Sequence, residues 1–196
     1  MRGVKWLSVL APMMLTLACS SVHIKTGPPT DADLVQDSED RGSRMKAEWS
    51  NKLQMATPVQ QASIMRGFID STTARFLRFG SQVAEMWRNE SDRRGAQLSA
   101  DEVQQVVERS NQFDLPLLEA YDDILEFGVD LIVDSRFFDS PVTDKLINYR
   151  DLYYDVYSAA FYPSGGLEDY ERQLSELEAG TRQTSDLLAE ELRRYQ

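Results

Sequence analysis

The chain predicts an all-α fold, an antiparallel bundle of about four to five helices behind a disordered tether. Three observations predict it. Beyond residue 43 the apolar residues recur at steps of three and four, and no stretch alternates with period two for long enough to make a half-buried strand. Helix-start chemistry, in Thr57-Pro58-Val59-Gln60 and Ser99-Ala100-Asp101-Glu102, stands at the head of the periodic segments. The links between segments are short, which sets consecutive helices side by side in opposite directions.

Residues 1 to 18 open with Arg2 and Lys5, continue as an apolar stretch from Trp6 and end on the small residue Ala18. This is the anatomy of an export signal. The stretch is shorter than the roughly 20 apolar residues of a spanning helix. It is also interrupted by Pro12 and followed by the polar run Ser20 to Asp40, so cleavage fits it better than spanning. Leu15-Thr16-Leu17-Ala18-Cys19 resembles the lipid-attachment signal of bacterial lipoproteins, with Leu at 15 and 17 where the usual pattern has it at 16. The resemblance covers residues 1 to 21. It implies that the Cys19 sulfur receives a diacylglyceryl group, that cleavage follows Ala18, and that palmitate-type chains hold the mature first residue at a membrane. Ser20 after the Cys resembles the signals sent to the outer membrane, facing the periplasm.

Residues 19 to 43 hold Gly27-Pro28-Pro29, several acids and few large apolar residues. Such a composition buries too little surface to offset its ordering entropy, and the segment is predicted to be a disordered acidic tether. A flexible segment of this length reaches about 25 Å in root-mean-square terms. The only histidine, His23, lies in it, with nothing rigid to position it as a ligand or base.

Residues 44 to 196 make a single helical-bundle domain in this reading. Arg44 to Met55 forms a short helix carrying Met45, Trp49 and Leu53. From Pro58, Met65, Phe68, Thr72, Phe76, Phe79, Val83 and Met86 form an apolar stripe that runs to Arg94-Gly95, where a helix can stop. Ser99 opens a segment with Val103, Val107, Leu117, Tyr121, Ile124 and Leu131 along one side, which Pro116 must kink or break. Ser140-Pro141 starts the next helix and Pro163-Ser164-Gly165-Gly166 ends it. The last helix runs from Leu167, with Tyr170, Leu174, Leu177, Thr181, Thr184, Leu188 and Tyr195 in a near-heptad, coiled-coil-like seam that Glu191 interrupts. That seam packs either internally or against a partner chain, and a domain this small needs every helix for its core. Glu48, Glu168, Glu178 and Glu190 each stand four residues before a Lys or Arg, the favourable orientation for exposed pairs.

Composition narrows the function. Removing residues 1 to 18 takes away Arg2 and Lys5 and no acid, leaving 19 basic against 32 acidic residues, a net charge of about −13. Nucleic acid is excluded as a partner on this balance, since phosphate binding needs concentrated Lys and Arg. Electrostatic adhesion to an anionic bilayer is disfavoured for the same reason, which leaves the lipid at Cys19 as the membrane contact. The single Cys permits no intramolecular disulfide.

Three constellations carry candidate chemistry. Glu119, Asp123, Glu126 and Asp130 line one helix face, but two residues, or about 200 degrees, away from the apolar stripe. They read as a solvated face; a carboxylate metal site in a bundle needs inward Glu-x-x-His motifs, and residues 44 to 196 contain no His. No metal and no cofactor is predicted. The second is the tyrosine-rich helix with Tyr149, Tyr153, Tyr154, Tyr157, Phe161 and Tyr162. Tyr149, Tyr153 and Tyr157 share one stripe, which packs in the core, whereas the whole set also suits a binding surface. The third, Arg75-Phe76-Leu77-Arg78-Phe79, is ordinary amphipathicity whose arginines can face the acidic stripe.

Serine and cysteine triads are excluded by the lack of His and Cys in the domain, and no Gly-rich phosphate loop is present. The sequence therefore predicts a lipid-anchored envelope protein without catalytic activity that binds other envelope proteins or itself. The alternatives are a binder of a small molecule or wall glycan through the tyrosine-rich helix and, third, a cell-wall hydrolase. A concave pocket at Tyr153, Tyr154 or Tyr157 would favour the ligand reading, and a flat exposed apolar patch the protein partner.

Overall fold

The computed structural model describes residues 30 to 111 and 114 to 196. The predicted export signal, Cys19 and His23 lie outside the described residues. Six α-helices follow in order: α1 Asp31–Gln54, α2 Pro58–Arg94, α3 Ala100–Asn111, α4 Leu115–Asp134, α5 Ser140–Phe161 and α6 Leu167–Leu192, closed by a 3-10 turn at Arg193–Tyr195. The described residues contain no strand. The all-α bundle is as the periodicity predicts, with six helices instead of four to five.

Local chemistry sets the boundaries. Thr57 caps α2 by accepting from the Gln60 N–H, while the Gln60 side chain accepts from the Thr57 N–H at 3.0 Å, and Pro58 fills the first turn. With 37 residues the helix is about 55 Å long. It ends where Gly95 turns left-handed at φ 65°, a conformation that only glycine adopts without strain. Ser99 and Glu102 exchange the expected capping bonds at the head of α3. Pro116 breaks the third segment rather than kinking it, sitting in the first turn of α4 where its missing N–H is harmless.

One boundary is corrected. Residues 31 to 43, predicted as tether, are helical and continuous with the segment that begins at Arg44. A capping box at Thr30 and Asp33, with Asp31 and Asp33 in the first turn, starts the helix well before the stripe of Met45, Trp49 and Leu53. The tether prediction weighed the Gly-Pro-Pro run, the acids and the scarcity of large apolar residues, and not the capping chemistry at Thr30. This half of α1 is held by close approach instead: a Cβ on Gly42 would stand 3.0 Å from the Pro116 carbonyl oxygen and 3.2 Å from the Ala120 Cβ.

Side-chain pairings give the helix directions. Trp49 meets Phe68, so α1 and α2 are antiparallel; Met65 lies against Gly128 while Phe76 meets Tyr121, so α4 runs against α2. Phe76 meets Tyr153, Tyr157 and Phe161 while Asp70 meets Tyr149, which sets α5 parallel to α2. Lys145 meets Glu191 and Leu152 lies beside Gly180, so α6 runs against α5. The sequence neighbours α1–α2, α4–α5 and α5–α6 are thus antiparallel, as predicted, while α2 and α4, separated in sequence by the short α3, also oppose each other and α1 lies parallel to α4. No described helix is long and apolar enough to cross a membrane.

The core lies between α2, α4, α5 and α6, with Trp87, Phe68, Met65, Ile124, Leu125, Tyr149, Tyr153 and Tyr170 fully enclosed. Phe76 is its hub, with ring centroids 5.4 to 6.3 Å from those of Tyr121, Tyr153, Tyr157 and Phe161. Tyr170, Leu174, Thr181 and Leu188 of the α6 seam are buried against α2 and α5. Glu191, the break in that seam, pairs with Lys145 at 3.0 Å and Arg194 at 2.6 Å.

Candidate functional sites

Helix α5 projects its tyrosines toward two neighbouring helices, and three of their hydroxyls end on carboxylates. Tyr149 donates to Asp70 on α2. Tyr153 donates to Asp122 at 3.0 Å and Tyr154 to Glu126 at 2.8 Å, both on α4. The rings bury apolar area and each polar tip finds an acceptor, which satisfies the requirement that a buried phenol be hydrogen-bonded. Burial first, and then the facing carboxylate, push all three phenols well above their ordinary range. Tyr157, packed on Phe76 and Phe161, is pushed up to about 12, again mainly by burial. These hydroxyls are fixed donors at neutral pH, unsuited to serve as proton-transfer groups.

The proposed surface of Tyr149, Tyr153, Tyr154, Tyr157 and Tyr162 is therefore corrected. Tyr149 and Tyr153 are wholly enclosed, because their positions on α5 point between α2 and α4. Tyr154 and Tyr157 are half-buried, and only Tyr162, 55% exposed just past the helix end, offers a free ring.

Of the acidic stripe, Glu119, Asp123 and Asp130 are exposed and Glu126 is half-buried. Lys46 pairs with Asp123 at 2.7 Å, and Arg150 approaches Glu126 at 3.8 Å. Arg75, expected to face this stripe, instead donates to the Tyr121 hydroxyl at 2.8 Å. Among the described residues no group of three or more His, Cys, Asp or Glu is placed to hold a metal ion.

Two surface features were not singled out by sequence. The first is a cleft of about 430 Å³ between α2 and α6, floored by Asp70, Tyr149 and Ser185, with Arg78, Arg182 and Asp186 among its walls. Asp70 accepts from Ser185 at 3.1 Å on one oxygen and from Tyr149 on the other. The sequence signal was faint: one acid beside Ser71, Thr72 and Thr73, on a helix whose stripe is otherwise apolar.

The second lies at the pole where α1 ends, α2 begins, α4 ends, α5 begins and α6 ends. An open groove of about 840 Å³ is bordered there by Lys52, Met55, Val59, Ile64 and Tyr195. Met55 is 89% exposed. Tyr195 continues the patch, its ring 6.0 Å from Phe137, which is 50% exposed. Phe137 is presented by Arg136, whose φ of 51° is left-handed, a conformation uncommon outside glycine and one that stores strain. Lys52, Arg136, Arg193 and Arg194 are exposed around this pole, interspersed with the exposed acids Asp134 and Asp139, and Arg194 is paired with Glu191 at 2.6 Å.

No family model matches the chain, and no curated protein and no solved structure matches it.

Proposed function

We propose that the chain is a lipid-anchored helical protein of the bacterial cell envelope, held by Cys19 at the outer membrane facing the periplasm, and that it works without catalysis by docking another envelope protein. The observation that carries the docking reading is the apolar pole of Met55, Phe137 and Tyr195 with its rim of mixed charge. Large exposed apolar groups beside one another mark interaction surfaces, and the strain at Arg136 is spent presenting one of them. The pole also stands at the end of α1 opposite the N-terminal segment, about 36 Å away along a helix of 24 residues, so a lipid at Cys19 would leave it free to meet a partner.

The tyrosine-rich helix gives the small-molecule reading little support. Neither of the two cavities described is lined by Tyr153, Tyr154 or Tyr157.

The test is site-specific photocrosslinking in intact cells, with the reactive amino acid at position 55 or 137 and, as control, at the exposed position 130. A discrete adduct from 55 and 137, absent from 130 and lost when Arg136 and Arg193 are changed to Glu, is expected. Adducts that ignore position would overturn the docking reading. Cys19→Ser should release the protein from the membrane fraction and abolish labelling by a clickable fatty acid; normal processing and continued sedimentation with membranes would overturn the anchor.

A further inference from the structure

The cleft between α2 and α6 is independent of the pole. Its floor is a carboxylate held still: Asp70 is fixed by hydroxyl donors from two other helices, Tyr149 on α5 and Ser185 on α6, both of them buried. An ionised carboxylate has about four acceptor positions, and these two bonds leave the remainder unused. Asp186 follows Ser185 at the same end of the cleft, which adds negative charge there. Towards the other end stands Arg78, two helical turns further along α2 and exposed, while Glu178 and Arg182 on the α6 wall are paired with each other at 3.1 Å. Arg75 is engaged by Tyr121, Arg88 by Glu171, and Arg93 and Arg94 by Glu90, whereas no hydrogen bond or ion pair among the described residues holds the side chain of Arg78, which lines the cleft, or of Arg66, which does not. Leu77 and Ala74 supply apolar wall between the two charges.

We infer that this cleft binds a short peptide with both termini free, its ammonium on Asp70 and its carboxylate on Arg78. An ammonium brings three donors to the unused acceptor positions of a carboxylate that is already oriented, so little ordering is lost on binding. A guanidinium meets a carboxylate as a two-pronged donor. The length follows from the helix: eight residues of α2 rise about 12 Å, and the Arg78 side chain leans back toward the helix N-terminus, shortening the span. At roughly 3.5 Å per extended residue, the gap suits two or three residues with small side chains against Leu77.

The experiment is an amide-resolved NMR titration of the full chain with Ala-Ala-Ala, its N-acetylated form and its C-amidated form. The free peptide should shift amides in residues 70 to 81 and 178 to 186, and each blocked form should bind at least tenfold more weakly. Arg78→Gln, at an exposed position, should erase the difference between free and amidated peptide while keeping that for acetylation. Asp70→Asn, which keeps an acceptor for Tyr149 and turns an N–H toward the Ser185 hydroxyl, which can accept it, should do the converse. No shifts in this cleft up to about 10 mM peptide, where binding worth only a few kcal/mol would register, or equal binding of free and blocked forms, would overturn the inference.

Discussion

Helices α5 and α1 are close in length, at 22 and 24 residues, but they are held by different physics. Helix α5 buries eight residues, six of them larger than alanine, and its tyrosines bond carboxylates on α2 and α4. Helix α1 buries three, Ser38, Gly42 and Leu53, of which one is a large apolar side chain. What α1 has instead is proximity to α4 at Gly42, an exposed ion pair from Lys46 to Asp123, and the edge contact of Trp49 with Phe68, 4.8 Å between ring centroids. Fully burying a large apolar side chain contributes about 1.5 to 3 kcal/mol, whereas an exposed ion pair contributes about 0 to 1. Helix α5 is thus a strut of the core, and the first half of α1 is an arm laid on its surface.

The sharpest way to break this contrast is at the hub. Phe76→Ala removes the ring against which Tyr121, Tyr153, Tyr157 and Phe161 pack, and should lower stability by about 3 to 5 kcal/mol in urea unfolding. A loss below about 1 kcal/mol, the range of ordinary surface changes, would show that α5 is not the strut. Next in size is Gly42→Leu, which forces α1 off Pro116 and Ala120 at about 1 to 3 kcal/mol. Hydrogen exchange should quicken in residues 31 to 44 and leave α5 unchanged; quickening throughout would mean that arm and core open as one unit.

The smallest effect sharpens the comparison through pH. Burial raises the Asp122 carboxyl above its ordinary value, with Asp123, Glu126 and Glu119 adding to the shift and the Tyr153 hydrogen bond opposing it. The folded state therefore holds this proton more tightly than the unfolded chain does, so stability falls as pH rises through the raised value. Asp122→Asn keeps an acceptor for Tyr153 and has no charge to desolvate. It should gain less than about 1 kcal/mol once solvent screening is allowed for, and its advantage over the native protein should widen in melting scans from pH 4 to 7. A narrowing gap would reverse the sign.

Elements with an apolar period were legible in the sequence. The span of α2, the capping at Ser99 and the limits of α5 follow from caps, stripes and prolines that act over a few residues. The first half of α1 was not legible, because small residues making close backbone contact leave no hydrophobic period to read. Nor did periodicity decide the fate of the tyrosines, since a stripe does not say what it faces. Asp70 and Asp122 matter because of hydroxyls 79 and 31 residues away, and no local pattern encodes those meetings. The apolar pole was invisible for the same reason: Met55, Phe137 and Tyr195 come from three separate helix ends.

The placement of α1 against α4 also has a consequence in time. Lys46 and Asp123 are 77 residues apart in the chain, and a ribosome works from the N-terminus at about 5 to 20 residues per second. Helix α1 must then wait several seconds for the surface it will lie on, and an isolated helix is only marginally formed in water. An arm with a continuous greasy face would spend that interval as a hazard, open to association with other nascent chains. With its acids and its small contact residues, α1 can wait in solvent harmlessly and settle once α4 has been made.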